Sequence, residues 1–578
     1  MGGVESRPLP VIAAIDFGTT FTGYLFCFRD EPDRTYGPEE HKRKREPTCV
    51  LLDENKAFVH FGKQATEFYF NNLDDDERSN YYFFRKFKIS AFEEGEDKLP
   101  VLKDEDGTPV DAMHLFKVVY THFKADILKG VNECKVSKGR HSPFTEDDIL
   151  WVITIPAVWG FSRRQFVKKA FEKANLKVDN IKLVLEPEAA SIEIRKSKMV
   201  LQNERLQTFK AGQKYLLADL GGGTVDICAH QVTEDGNLVE LFNSSGGVFG
   251  GILVNQAFEE FLKDIFGKDV LESYKTEYPG NFYDLQMKFE EKKMDISFDK
   301  KDLTVVFKID IELISKFQKT GKNIVNEIEA KYQDIAEWKN PNKLFLKGPL
   351  MKRFFERAVT DICGHIDEVL QCNPEKNIDI LLLSGGFAES KYIQGRIRER
   401  FNEKQVVVVP DPKYAVMQGA LKIGACSAGI IERKSPFTYG FYAVEPFEHG
   451  RDPEDMRILR EGEEKCDGKF HKLVAKGDPL KCGQIFKRDA TTSYTTDIER
   501  NRPRYTSLWR SEKTNPKYCK LAFGCHEIAK ITIVPPIHGW PGVLRHRQQL
   551  IVQENEFQIK FINTDTNEEQ EMHISYLD

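Results

Sequence analysis

Two stretches of the chain carry the same pattern of apolar and polar positions. Val11 to Phe28 (VIAAIDFGTTFTGYLFCF) is an apolar run, a turn of Gly and Thr, and a second apolar run, and Tyr215 to Val232 (YLLADLGGGTVDICAHQV) repeats it. Each predicts a buried strand ending in Asp (Asp16, Asp219), a glycine turn and a returning strand. The two aspartates lie 203 positions apart, a period too long for a solenoid and suited to two related lobes that face each other. Between and after these hairpins strands alternate with helices. Leu150 to Pro156, Ile181 to Leu185, Ile378 to Leu383 and Val406 to Val409 read as strands. Ser162 is placed to N-cap a helix whose Phe166, Val167, Ala170, Phe171 and Ala174 share a face, and Pro187 sits in the first turn of another. The alternation predicts an α/β architecture over residues 1–430.

From Lys434 onward the period changes to two. FTYGFYAV (437–444), FHKLVAKG (470–477), ITIVPP (531–536), FQIKFINTD (557–565) and MHISYL (572–577) read as strands, with Phe557, Ile559 and Phe561 on one face. Residues 434–578 therefore predict a β-sandwich with no helical lid after it, and Ala425 to Pro436 is the expected boundary.

Composition narrows the picture. The 578 residues allow three or four domains, or a large two-lobed one and a smaller one. With 40% hydrophobic and 11% aromatic residues the chain has ample material for a core, which excludes disorder as its main state. Against 84 Lys and Arg stand 90 Asp and Glu, so nucleic acid is not the expected partner. No apolar run approaches the ~20 residues that cross a bilayer. The eleven cysteines form no CxxC pair and suit a reducing compartment. The expected location is cytoplasmic. Two short patterns add alternatives: Gly2 with Ser6 fits a myristoylation site, and Lys42-Arg43-Lys44-Arg45 fits a second membrane signal or a nuclear address. The ordinary reading of that basic run is a solvated loop.

The glycine turns carry the chemistry. Gly221-Gly222-Gly223 offers backbone N–H groups with no Cβ to block a polyanion, and Thr19, Thr20 and Thr224 add hydroxyl donors. Asp16 and Asp219 would repel phosphates unless a hydrated Mg²⁺ lay between them. One such turn is common in hairpins; two copies point to a clamp for a nucleotide triphosphate and its metal. No GxxxxGK[ST] is present, so this is not a P-loop.

AIDFGTT, ADLGGGTVDI, ITIPAVW, LEPEAAS and LLLSGGFAES, in this order, resemble the motifs of the heat-shock 70 kDa family of the actin-like ATPase superfamily. KLVAKGDPLKCGQ, ITIVPPIHGWPG and FQIKFINTDTNEEQEMHISYL are similar to strands of that family's substrate-binding sandwich, and the insertion near residues 31–45 resembles its type 12 branch. The resemblance implies a two-lobed, ribonuclease-H-like ATPase domain that takes ATP or ADP with Mg²⁺. Asp16 and Asp219 would hold the metal through water. Gly18, Thr19, Thr20 and Gly221 to Gly223 would hold phosphate. Glu186, Asp219, Thr224 and Asp226 would be the catalytic set around the attacking water. Gly250 and Gly251 would add a further phosphate turn. Glu290, Lys293 and Ser297, at offsets that share one helical face, would take the adenosine side, with Gly385 and Gly386 opposite. Pro156 and Arg164 match the residues that relay nucleotide state in the family.

Departures from the family matter as well. Thr66 stands where the family has its catalytic lysine, with Lys63 as a substitute on the same helix, and Glu389 replaces an adenine-stacking arginine. The implied activity is slow ATP hydrolysis coupled to binding of unfolded or peptide clients through the sandwich. A nucleotide-sensing adaptor with negligible hydrolysis is the alternative, and a sugar-type kinase of the same superfamily is the least favoured.

Overall fold

The computed structural model describes residues 8–38, 45–90, 101–137, 142–159, 161–196, 199–200, 206–207, 209–300, 303–373, 376–425, 429–460, 462–494, 496–553 and 556–575. The chain divides into two compact units, Met1–Ala229 with Ser244–Gly429, and His230–Asn243 with Ile430–Asp578.

The first unit is mixed α/β and is built on two sheets of one design. β1 (Val11–Phe17) and β2 (Phe21–Phe28) form an antiparallel hairpin, and β3 (Glu31–Tyr36) and β4 (Arg45–Pro47) both pair with β2. On its other side β1 runs parallel to β5 (Ile149–Ile155), which runs parallel to β6 (Ile181–Leu185). The order β6-β5-β1-β2 leads directly into helix α1 (Glu186–Lys196). The second sheet repeats this plan. β7 (Lys214–Leu220) neighbours β8 (Val225–Val232); helix α2 (Pro279–Met294) comes later; then β9 (Ile380–Ser384) and β10 (Gln405–Val408) add parallel to β7, giving β10-β9-β7-β8. Asp16 and Asp219 occupy the same place, next to last in the central strand of each sheet.

The strands form because both faces are covered. All seven residues of β1 and all five of β9 are buried, as near-continuous apolar runs require in parallel sheets. The long helix Ala112–Ser137, which the sequence patterns above do not include, lays Phe116, Val119, Tyr120 and Phe123 into the same core as Phe17, Trp151 and Ile153. The helix expected after Ser162 runs Phe161–Lys173 and buries Phe166, Val167, Ala170 and Phe171. Helix α3 (Ala415–Ala425) crosses α1 so closely that a Cβ on Gly419 would lie 1.6 Å from the carbonyl oxygen of Ala189. Only glycine permits that approach.

The second unit holds two antiparallel sheets. β11 (Ile430–Lys434) pairs with residues 238–239, and the Lys434 N–H donates to Glu240. β12 (Thr438–Pro446), β13 (Arg457–Arg460) and β14 (Glu463–Val474) follow, and then β15 (Pro479–Lys481), which pairs with β11 and not with them. Next come β16 (Ile485–Ser493), β17 (Arg504–Ser511), β18 (Cys525–Ile533), β19 (Val543–Val552), β20 (Glu556–Asn563) and β21 (Glu569–Ser575). The sheet orders are β13-β14-β12-β17-β18 and β16-β19-β20-β21. Tyr439, Phe441, Leu508 and Ile531 of the first share one apolar cluster with Leu544, Leu550, Phe557, Ile559 and Phe561 of the second. Among the described residues no helix is long and apolar enough to cross a membrane.

Candidate functional site

The two hairpin turns meet at a cavity of about 470 Å³ in the first unit. Asp16, Gly18, Thr19 and Thr20 line it from the β1–β2 turn, and Asp219, Gly221, Gly222, Gly223 and Thr224 from the β7–β8 turn. The turns approach so nearly that a Cβ on Gly222 would fall 2.0 Å from Thr20 Oγ1. A third turn backs them: the N–H groups of Gly250, Gly251 and Ile252 donate to the carbonyls of Gly223, Gly221 and Gly222 at 3.0, 3.2 and 2.8 Å. Gly251 reaches the cavity, whereas Gly250 is not among its lining residues.

Four buried carboxylates gather at this end of the two sheets. Asp219 Oδ1 accepts from Ser384 Oγ at 2.7 Å, and burial followed by the charges of Glu186 and Asp16 pushes its carboxyl up to about 7. Asp226 stands behind Thr224, whose side chain favours its charged form, and is not itself among the lining residues. Its Oδ1 accepts from the Ala157 N–H at 2.6 Å and the Val158 N–H at 3.4 Å, while its Oδ2 is buried without a partner. Burial first, then Glu186 and Asp219, raise its affinity for a proton. Glu186, the first residue of α1, is raised by burial and lowered by Lys88, whose Nζ donates to its Oε1 at 2.9 Å. Asp16 accepts on both oxygens: Oδ1 from Thr154 Oγ1 at 3.2 Å and Oδ2 from an Arg45 nitrogen at 2.8 Å. Among the described residues no three such side chains converge tightly enough to ligate a bare metal ion.

Two cations in this cavity contradict the sequence expectations. Thr66, in the helix Gly62–Glu67, is buried and bonds to Gly62 O and Cys49 Sγ, away from the cavity. Lys63 on the same helix is exposed and pairs with Glu67 at 3.3 Å. Neither faces the turns, because that helix packs its inner side on the Cys49–Leu52 and Phe83 cluster. The lysine that reaches the cavity beside Glu186 is Lys88, in the short helix Phe87–Ser90, with its amine 5.0 Å from the centre of the Trp159 ring. Arg45, expected in a solvated basic loop, is turned inward from β4; Lys42, Arg43 and Lys44 lie outside the described residues, as do Gly2 and Ser6.

The opposite wall is formed by α2 and the β9 turn. Lys293 Nζ donates to Glu290 Oε2 at 2.6 Å, Asn255 Oδ1 at 2.8 Å and Gly251 O at 3.2 Å, and burial lowers its proton affinity. Glu290, Lys293, Gly385 and Gly386 line the cavity, with Phe387 and Tyr414 as aromatic faces. Glu389 also lines it, paired to Lys413 at 3.4 Å. Ser297 does not share the helical face expected for it, because α2 stops at Met294 and Asp295 caps it; Ser297 is not among the lining residues. Arg164 is buried and donates through Nε to Trp159 O, at the end of the segment that begins with Pro156 and rests on Asp226.

Known proteins align along most of this chain. It is 28% identical to heat shock 70 kDa protein 12A of Mus musculus over 86% of its own length and 81% of that protein. It is also 28% identical to heat shock 70 kDa protein 12B of Homo sapiens, over 84% of the chain and 78% of the relative. The chain is a relative of the type 12 heat-shock 70 kDa proteins. Another relative, chaperone protein DnaK of Thermoplasma volcanium, is 25% identical over 55% of the chain and 46% of its own length. Residues 208–411, which include the β7–β8 turn, α2 and the β9 turn, match a domain of unknown function (DUF8340). The type 12 relatives thus span both units.

Proposed function

We propose that this heat-shock-70-like chain binds ATP and ADP in the cavity between its two glycine turns and hydrolyses ATP slowly. The observation that carries the reading is the meeting of Gly222 with Thr20, which presents two sets of backbone N–H and hydroxyl donors to one small volume flanked by Lys88 and Arg45. Such a cradle suits a polyphosphate, and Phe387 and Tyr414 are faces for a base. Thr224, with Asp226 behind it, and Glu186 would orient the attacking water, and a carboxyl that burial has made more basic is suited to take its proton. Lys88, held by Glu186, would meet the charge that develops on the terminal phosphate, the role for which Thr66 has no suitable group. Magnesium would bring charge neutralisation to the phosphates. The residues do not fit it as a symmetric site, because Asp16 carries the Arg45 guanidinium on Oδ2 at 2.8 Å whereas Asp219 accepts from the neutral Ser384 hydroxyl. We further propose that the two antiparallel sheets of the second unit form a sandwich that binds peptide or protein clients, which rests on the apolar cluster they share and on the resemblance of their strands to the family's substrate-binding sandwich.

Calorimetry on the full chain tests the nucleotide reading. ATP and ADP bind the wild type, and Gly222→Val, which drives a side chain into Thr20, lowers affinity at least about tenfold with the fold intact by circular dichroism. Undiminished affinity in that variant would remove the two-turn cradle.

A further inference from the structure

Arg45 is a heavily engaged cation of the cavity, and it stands at the carboxylate expected to share the metal. One terminal nitrogen donates to Asp16 Oδ2 at 2.8 Å and to Phe21 O at 2.9 Å; the other donates to Lys413 O at 2.8 Å. These contacts tie β4 to the β1–β2 turn and to the segment before α3. Three of the five guanidinium N–H groups are used, and the buried Nε has no acceptor. The side chain is only 17% exposed. Its charge is felt beyond Asp16, since it lowers the proton affinity of both Asp219 and Glu186. A guanidinium cannot be deprotonated in a protein, so this charge is permanent. A hydrated divalent ion shared by Asp16 and Asp219 would sit against this fixed positive charge and compete with it for Asp16 Oδ2.

We propose that Arg45 is a built-in counter-ion that lets the cavity hold a nucleoside di- or triphosphate without a divalent metal, an inference that rests on the nucleotide reading above. With Lys88 on the same cavity, two fixed positive charges meet the phosphates, and their hydrogen bonds keep them in place before the ligand arrives. Arginine suits this because its planar donor fork matches both carboxylate and phosphate oxygens.

The test compares ADP and ATP binding to the full wild-type chain by calorimetry in EDTA and in millimolar Mg²⁺. Affinities within about threefold of each other support the proposal, and a loss of about a hundredfold in EDTA overturns it without touching the nucleotide reading. Absence of binding in both buffers would instead overturn the nucleotide reading and the inference together. In Arg45→Gln, checked for fold by circular dichroism, binding in EDTA falls about tenfold or more and Mg²⁺ restores it, because Asp16 is then free to share an ion. Equal affinities of Arg45→Gln and wild type in EDTA would also overturn the proposal. The wild-type comparison decides the question even if the variant fails to fold.

Discussion

Asp226 and Asp219 are held in the unfavourable direction for charged groups, and this sets a pH dependence. Their ordinary value is 3.8, and Asp219 is pushed up to about 7 by burial and by its acidic neighbours. The folded, nucleotide-free chain therefore binds these protons more tightly than the unfolded chain does. Their stabilising contribution is complete below about pH 4 and is lost as pH rises through 7. The thermal midpoint of the nucleotide-free protein should fall between pH 6 and pH 8.5, and Asp219→Asn should flatten that decline. Asp226→Asn should raise stability at pH 8 by about 1–2 kcal/mol, since the amide stays neutral where the buried carboxyl must take up a proton or carry a charge, and should lower turnover. A midpoint that rises with pH over this window would show that the carboxylates are not held protonated. Arg45 shows why single residues were hard to assign beforehand. Its basic neighbours make it look solvated, and only pairing of β4 with β2 turns it toward Asp16.

At the scale of elements, the two hairpins were legible because a buried run, a glycine turn and a second buried run are local signals. The short helix bearing Lys88 was not, since its partner Glu186 lies 98 residues away and no periodicity links them. The helix that carries Thr66 is placed by packing on Cys49, Leu51 and Phe83, a contact equally invisible along the chain. Lys88→Met should cut single-turnover ATP hydrolysis by about 10²–10³ while ATP affinity changes far less. Lys63→Ala should leave the rate unchanged, and Thr66→Lys, which buries a charge beside Cys49, should lower stability without raising the rate. Full activity in Lys88→Met would return the search for the phosphate-facing cation to other elements. The stop of α2 at Met294 likewise removes Ser297 from the face of Glu290 and Lys293, although the spacing alone suggests one longer helix.

For the molecule as a whole, the second unit draws on two distant pieces of chain. Residues 230–243 contribute the pairing of 238–239 with β11, but no residue of that segment belongs to the apolar cluster of the two sheets. A fragment from Lys434 to Asp578 keeps every side chain of that cluster and should fold alone, with a β-rich circular dichroism spectrum and cooperative melting. A mainly helical spectrum would refute this. The alternating pattern of β20 was readable because one face is buried. Strands β16 and β19, with polar Arg488, Thr492, His546 and Gln548 among their inward positions, carried too weak a signal to be seen before they were paired.

The crossing of α1 and α3 makes the cavity wall a pair of levers. α1 starts at Glu186, and α3 follows directly on Lys413 and Tyr414, so both arms begin at the cavity. Where they touch, backbone meets backbone at Gly419 and Ala189, and no side chain can rearrange to let one slide over the other. Such a joint turns rather than shears. With a rise of about 1.5 Å per residue, the fulcrum lies ~6 Å from the cavity end of α3 and ~9 Å from its far end; on α1 the arms are ~5 and ~10 Å. A tilt set by whatever fills the cavity is thus magnified roughly 1.5- to twofold at Ala425 and Lys196.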